Sequence, residues 1–493
     1  MPDGLEEQDL WSTIVNGRFW SIDERTLISQ IYRAFKIETD RLKHADAIER
    51  NTPPVLNGNL PQTPSQILYA GEDYDEVNRT YVGILALRWT WNDDYARFTQ
   101  GQSESQRLTT QSFQWLRQYF QRILKTDMDL FSIILAMVVN DLGKDPALVD
   151  DYYELTNRRL HGKNHDTILL EAAKANMIPS LRYLDQEHKD DIMLGLELGS
   201  ELNAGQLAQA ENVPVNLEGL LSMQGNERAF NLKFIEQILD VAGAAGHVYA
   251  DGIKNLIEPV FQAFKTVHEV SLCIIRKECS LREGYDQVLS KRAELLRQDG
   301  FEELSVKKPE ERALLRLLTM GRAATLEDAT LIRDGFGAVG EPCKTKLVAG
   351  LNVDAIEDDE TAVIPYYMPA MIAETIRATR GSGMEVSALA ALMRYLARVL
   401  TYDDHDTDSG TPQSAMVEHA ATWPVHEGSK LQLQIPPSNG RKAAREGRVL
   451  ERNMSLAKEH ISRPEFKENP RILDALHPPV GHFLTRRRTS YSA

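Results

Sequence analysis

One run of residues decides most of what this chain can become. Phe131, Ile134, Leu135, Val138, Val139 and Leu142 recur at helical spacing and leave the segment without a polar face. A helix that is apolar all round is a buried helix, so other elements must enclose it. The rest of the chain supplies helices for that purpose. Ser112 to Leu124 carries Phe113, Trp115, Leu116, Tyr119, Phe120 and Ile123 at helical spacing. Thr167 to Lys174, Asp190 to Leu207, Phe234 to His247, Ser280 to Arg297, Pro309 to Leu318 and Pro365 to Leu400 repeat the pattern. Only Lys430 to Ile435 alternates polar and apolar as a strand does. The expected fold class is all-α, mainly helical, with at most a minor strand near the C-terminus.

The punctuation of the chain suggests its division. Prolines, asparagines and a glycine crowd residues 51 to 65, which read as a loop on the surface. The expected segments are 1–109, an N-terminal helical region containing that loop; 110–279, a helical core; 280–402, a second helical region; and 403–493, a loop-rich basic tail. Gly243 and Gly246, around two alanines, permit close helix approach. Asn92-Asp93-Asp94 reads as a helix end, and Thr325 begins a capping signal. Glu197 to Asn212 is dense in amides and acids, which either pave a solvated face or line a polar cavity. Cys273, Cys279 and Cys343 have no CxxC spacing and read as separate thiols. His247 and His268 have no spaced partner and read as structural.

The chain has 493 residues and a formal net charge of -16, which argues against a generic nucleic-acid binder. From Pro424 to Ala493, however, thirteen Lys or Arg stand against seven Asp or Glu. A basic tail on an acidic body suits a tRNA handle. No apolar run approaches the roughly 20 residues that cross a bilayer. The N-terminus, with Asp3, Glu6 and Glu7, has neither a basic n-region nor an apolar h-region, so the cytoplasm is the expected location.

Chemistry concentrates just after the apolar helix. Asn140-Asp141-Leu142-Gly143-Lys144 ends it, Pro146 starts the next, and Asp150-Asp151-Tyr152-Tyr153-Glu154 follows. On a helix, Asp150 and Glu154 are i,i+4 and Asp151 and Glu154 are i,i+3, so the three acids lean together. Arg158, Arg159, His161 and Lys163 come one to three turns later. Acids beside bases can hold an ammonium or guanidinium and a phosphate at one site. A DDxxE motif in an otherwise helical chain of this length resembles the fungal arginine-containing cyclodipeptide synthases. The resemblance implies an aminoacyltransferase that joins arginine from arginyl-tRNA to a second aminoacyl-tRNA and releases a diketopiperazine for secondary metabolism. It implies Asp150, Asp151 and Glu154 as required acids, while the charge of the basic run, Arg158, Arg159, His161 and Lys163, suits it to face the tRNA substrates. No cofactor and no metal are expected, because the aminoacyl ester is already activated. Within the triplet, Glu154 is the expected base, with its pKa raised by two aspartates, and Asp150 and Asp151 the expected anchor for the arginine.

Other readings draw on the same residues. DDxxE also resembles the first metal motif of class I terpene cyclases, but Asn140-Asp141 lacks the hydroxyl and acid of a second motif and precedes the first. Asn140-Asp141-Leu142-Gly143-Lys144, near His165-Asp166, is one substitution from the His-Asp-x-Gly-Lys of HD-type hydrolases, and the missing residue is the histidine ligand. A non-catalytic helical adaptor with an acidic body is the remaining alternative. Walker A, GxGxxG and GxSxG patterns do not occur in a matching context.

Overall fold

The computed structural model describes residues 5, 8–45, 62–160, 163–356, 361–365, 367–400, 457–458, 460–462, 466–467, 469–475 and 484–485. Among these the fold is mainly helical. The β pairing among them is a two-residue antiparallel ladder, Thr361–Ala362 (β1) with Leu484–Thr485 (β2). The strand expected at Lys430 to Ile435 lies outside the described residues. No helix among them is long and apolar enough to cross a membrane.

The described residues form two compact units. The first runs to Leu202 and takes in Ser222–His268. Its helices are α1 (Asp9–Val15), α2 (Glu24–Ala34), α3 (Lys36–Leu42), α4 (Pro64–Leu68), α5 (Asp75–Trp91), α6 (Tyr95–Thr99), α7 (Thr110–Ile123), α8 (Asp127–Val139), α9 (Pro146–Thr156), α10 (His165–Lys174), α11 (Gln186–Glu201) and, further on, α13 (Glu227–Gly243). The second comprises Asn203–Leu221 and the chain after His268, with α12 (Ala204–Ala208) and the helices that follow residue 280. Helix α14 (Glu258–Ile275) begins in the first unit and ends in the second.

Helix α8 is the buried helix its sequence demands. A capping box between Thr126 and Asp129 starts it, and every residue from Met128 to Val139 is buried. Each fully buried Leu, Ile or Val contributes about 1.5–3 kcal/mol relative to exposure. Phe131 meets Trp11 of α1 and Phe35 after α2, while α5, α11 and α13 pack around the remaining sides. Glycine sets the closest crossing. A Cβ on Gly243 would stand 2.1 Å from the Arg79 carbonyl oxygen, and one on Gly83 would stand 2.7 Å from that of Leu239. Helices α5 and α13 therefore touch backbone to backbone. This contact joins the N-terminal region and the helical core within one compact unit.

In the second unit, α15 (Leu281–Gln298), α16 (Pro309–Met320), α17 (Leu326–Gly337), α18 (Cys343–Leu351), α19 (Met368–Thr379) and α20 (Glu385–Leu400) pack with α20 in contact with α17, α18 and α19. Arg316 is fully buried and donates to the carbonyl oxygens of Ala210, Glu211, Asn212 and Leu351. The expectation of separate thiols is corrected at the end of α14. Lys277 adopts a left-handed conformation, and the Glu278 amide donates back to the Cys273 carbonyl at 2.8 Å. That turn folds Cys279 onto Cys273, and the two sulfurs pair, with Cα atoms 5.6 Å apart. Cys343 stays free.

Candidate functional site

The DDYYE motif lies on α9, whose start is built from the turn before it. Asp145 caps the helix, accepting from the Ala147 amide at 3.0 Å, and Pro146 occupies the first helical position. Asn157, left-handed at φ 56°, closes it. Leu148, Val149 and Tyr152 face inward, and the Tyr152 hydroxyl reaches Glu171 of α10 at 3.3 Å. Asp150, Tyr153 and Glu154 are exposed and Asp151 is partly exposed. Arg41 of α3 donates to Asp145 at 2.8 Å and, through its other terminal nitrogen, to Asp151. Asp150 and Glu154 make no hydrogen bond or ion pair with the described residues.

The basic residues that follow are exposed: Arg158, Arg159 and Lys163. The Arg159 guanidinium lies over the Tyr153 ring, 5.6 Å from its centroid, and so reaches the motif itself. His161 lies outside the described residues.

A second polar centre lies inside the same unit. Glu76 and Arg79 come from the first turns of α5, Asp141 and Lys144 from the turn after α8, His165 and Asp166 from the start of α10, and Lys233, Glu236 and Asp240 from α13. The Lys144 ammonium stands between Asp141, at 2.9 Å, and Glu76, at 3.2 Å, while Arg79 also pairs with Glu76 at 2.5 Å. Glu76 and Asp141 share a hydrogen bond. Burial, and then the Asp141 charge, push the Glu76 carboxyl up to about 8. Burial works against the Asp141 carboxylate too, but Lys144 and the Glu76 hydrogen bond hold it well below the usual range. Of the two carboxyls, Glu76 is therefore the one whose neutral form is favoured. Lys233 bonds both oxygens of Glu236 at 2.7 and 2.9 Å, and burial still lifts Glu236 to about 7. Asp240 is raised by burial and by the Asp141 charge.

Close packing holds this centre together. A Cβ on Gly143 would stand 1.9 Å from the His165 carbonyl oxygen, and one on Gly199 would stand 3.0 Å from the Lys233 ammonium. Several buried charges at several kcal/mol of desolvation each are costly unless paired, and here they are paired. Among the described residues no group of three His, Cys, Asp or Glu side chains is placed to hold a metal ion. His165 Nε2 lies 3.9 Å from Asp141 and 3.6 Å from Asp166, and the Lys144 ammonium is ion-paired with both Glu76 and Asp141.

The two features are consecutive in the chain: Lys144 belongs to the buried centre and Asp145 caps the motif helix. A family model described as a family of unknown function, DUF6829, matches residues 28–473, a span that includes both. The chain belongs to DUF6829. No curated protein and no solved structure matches it. Sequence reasoning had singled out Asp141, Lys144 and His165-Asp166 only as remnants of a metal motif. It missed Glu76, Arg79, Lys233, Glu236 and Asp240. The signal available for the α13 residues was Lys233, Glu236 and Asp240 at i, i+3 and i+7 within an otherwise apolar face.

Proposed function

We propose that this DUF6829 protein is a tRNA-dependent cyclodipeptide synthase, acting in the cytoplasm, that condenses arginine from arginyl-tRNA with a second aminoacyl-tRNA to a cyclo-Arg-Xaa diketopiperazine. The observation that carries the reading is the state of the DDYYE acids. Asp150 and Glu154 project into solvent one helical turn apart, about 5–6 Å between Cβ atoms, on a helix capped at both ends. Two such carboxylates fit a guanidinium or an α-ammonium by charge-assisted hydrogen bonds. Arg158, Arg159 and Lys163 stand next to them for phosphates of the tRNA acceptor ends, where contacts position a nucleic acid without reading its sequence.

The chemistry asks little beyond this. The α-amine of one aminoacyl group attacks the ester carbonyl of the other and displaces the terminal ribose hydroxyl. The free amine of the resulting dipeptidyl ester then closes the ring and displaces the second tRNA. Orientation of two esters and removal of a proton from each attacking ammonium are the tasks left to the protein. The test is a reconstituted reaction with Asp150→Asn and Glu154→Gln. Loss of cyclic product with an unchanged helical circular-dichroism signal is expected, and full product from both variants refutes the reading.

A second reading, a helical hydrolase scaffold of HD type, draws on the packing of Gly143 against the His165 backbone, which joins the Asn140–Lys144 turn to His165-Asp166. It ranks lower because the Lys144 ammonium already pairs with both Glu76 and Asp141. Metal-dependent phosphate release by the purified protein would favour it.

A further inference from the structure

The three acids of the motif are not equivalent. Among the described residues Arg41 is the cation ion-paired with the motif, and it touches Asp151 alone of the three. Its guanidinium forks: one terminal nitrogen holds Asp145, whose side chain is 1% exposed, and the other holds Asp151, whose side chain is 44% exposed. Asp145 is also the cap of α9. A single planar group therefore ties the first turn of the helix to the middle of the motif, from a neighbouring helix. The Arg41 pKa is raised despite burial, because Asp151 and Asp145 hold its charged form.

We propose that Arg41 is a positioning residue for the DDYYE motif: it fixes Asp151 and the orientation of α9, and it leaves Asp150 and Glu154 as the pair that receives the cationic group of the substrate. This rests on the reading of DDYYE as the substrate site. It reverses the division of labour expected from sequence, in which Asp150 and Asp151 anchor the arginine and Glu154 is the base. The geometry favours the reversal because the Asp151 charge is already matched by a protein guanidinium, whereas Asp150 and Glu154 have no partner among the described residues. A lysine at position 41 would not serve, since one ammonium lacks the fork that spans two carboxylates.

The experiment uses the full chain and compares Arg41→Ala, Arg41→Lys, Asp151→Asn, Asp150→Asn, Glu154→Gln and the double variant Arg41→Ala/Asp151→Asn. Turnover is measured with arginyl-tRNA, and binding with L-arginine amide as probe. A positioning role predicts that Arg41→Ala lowers kcat by ~10²-fold, the scale of a misplacement of about 1 Å. Binding of arginine amide should stay within about twofold of wild type. Asp150→Asn and Glu154→Gln should weaken that binding about tenfold or more, as loss of a hydrogen bond to a charged group does. The double variant should be no worse than Arg41→Ala alone, since both changes break one contact. Arg41→Ala that weakens the probe as much as Glu154→Gln overturns the proposal, as does Arg41→Lys with full turnover. If the wild-type protein forms no cyclic product, the functional reading fails while the clamp remains testable. Amide hydrogen exchange over residues 146–156 should then be faster in Arg41→Ala than in wild type and no faster still in the double variant. Unchanged exchange overturns the clamp itself.

Discussion

Replacing Glu76 by glutamine tests the buried centre through its response to pH. Glu76 is 5% exposed, and its carboxyl is pushed from an ordinary value of 4.5 to about 8 by burial and by the Asp141 charge. Between those two values the folded protein holds a proton on Glu76 that the unfolded chain has released. Stability from this group is therefore fully present below about pH 4.5 and is lost as pH rises toward 8. At full slope the loss is about 1.4 kcal/mol per pH unit, or several kcal/mol across the window. The glutamine of Glu76→Gln stays neutral at every pH and retains an amide that can donate to Asp141, so the variant should lose about one proton's worth of slope. Glu236 and Glu211, each raised to about 7 chiefly by burial, act in the same direction and remain. The curve should accordingly flatten without becoming level. Because the chain has two compact units, the readout is hydrogen exchange of the α5 and α13 amides from about pH 5 to about pH 9, corrected for intrinsic exchange, rather than one global melting point. A Glu76→Gln protein whose protection falls with pH as steeply as wild type would refute the assignment of the shared proton.

Gly243→Ala would drive a methyl group to 2.1 Å from the Arg79 carbonyl oxygen of α5. A loss of about 1–3 kcal/mol in urea unfolding is expected, and a neutral result would mean that α5 and α13 do not cross in this way. Arg316→Met removes the donor that satisfies four buried carbonyl oxygens. It should cost about 3 kcal/mol or more in the second unit, read from exchange of α15 and α16, and an effect no larger than a surface substitution would contradict the burial of that guanidinium. His188 bridges Asp185 at 2.7 Å and Asp129 at 3.2 Å, and these bonds raise its pKa against burial. Its stabilisation is present below the ordinary histidine value of 6.5 and is lost as pH rises through the higher folded value, so His188→Gln should lower stability most at acid pH. Equal losses at acid and alkaline pH would contradict that charge state.

The helices were legible where one physical signal sufficed. The apolar face of α8, the cap at Thr325 before α17, the helix end at Asn92 and the small residues at Gly243 and Gly246 all act locally, and the structure places each where its chemistry demands. His268 is indeed enclosed, against Trp115, Tyr119, Phe230 and Phe234, with Nε2 3.1 Å from Asn231. The segment from Glu197 to Asn212 was half legible: it breaks at Leu202, and Glu211 turns inward to accept the Tyr367 amide at 2.6 Å. The buried charges were not legible, because Glu76 and Arg79 look like the solvated first turns of a helix. What buries them is α13, far along the chain, and only the glycine crossing reveals it. The Arg41 clamp was hidden for the same reason, as nothing near Arg41 in sequence points to Asp145 and Asp151. Most of the basic tail lies outside the described residues.

The central question is whether arginine reaches this protein as arginyl-tRNA. Purified protein is incubated with isotope-labelled arginine, the other amino acids, tRNA, the synthetases and ATP, with and without ribonuclease pretreatment, and the products are analysed by mass spectrometry. A labelled cyclo-Arg-Xaa that appears with intact tRNA and disappears after ribonuclease is the predicted result. Cyclic product that survives ribonuclease, or no arginine-containing cyclic product with intact tRNA, contradicts the tRNA-dependent synthase reading.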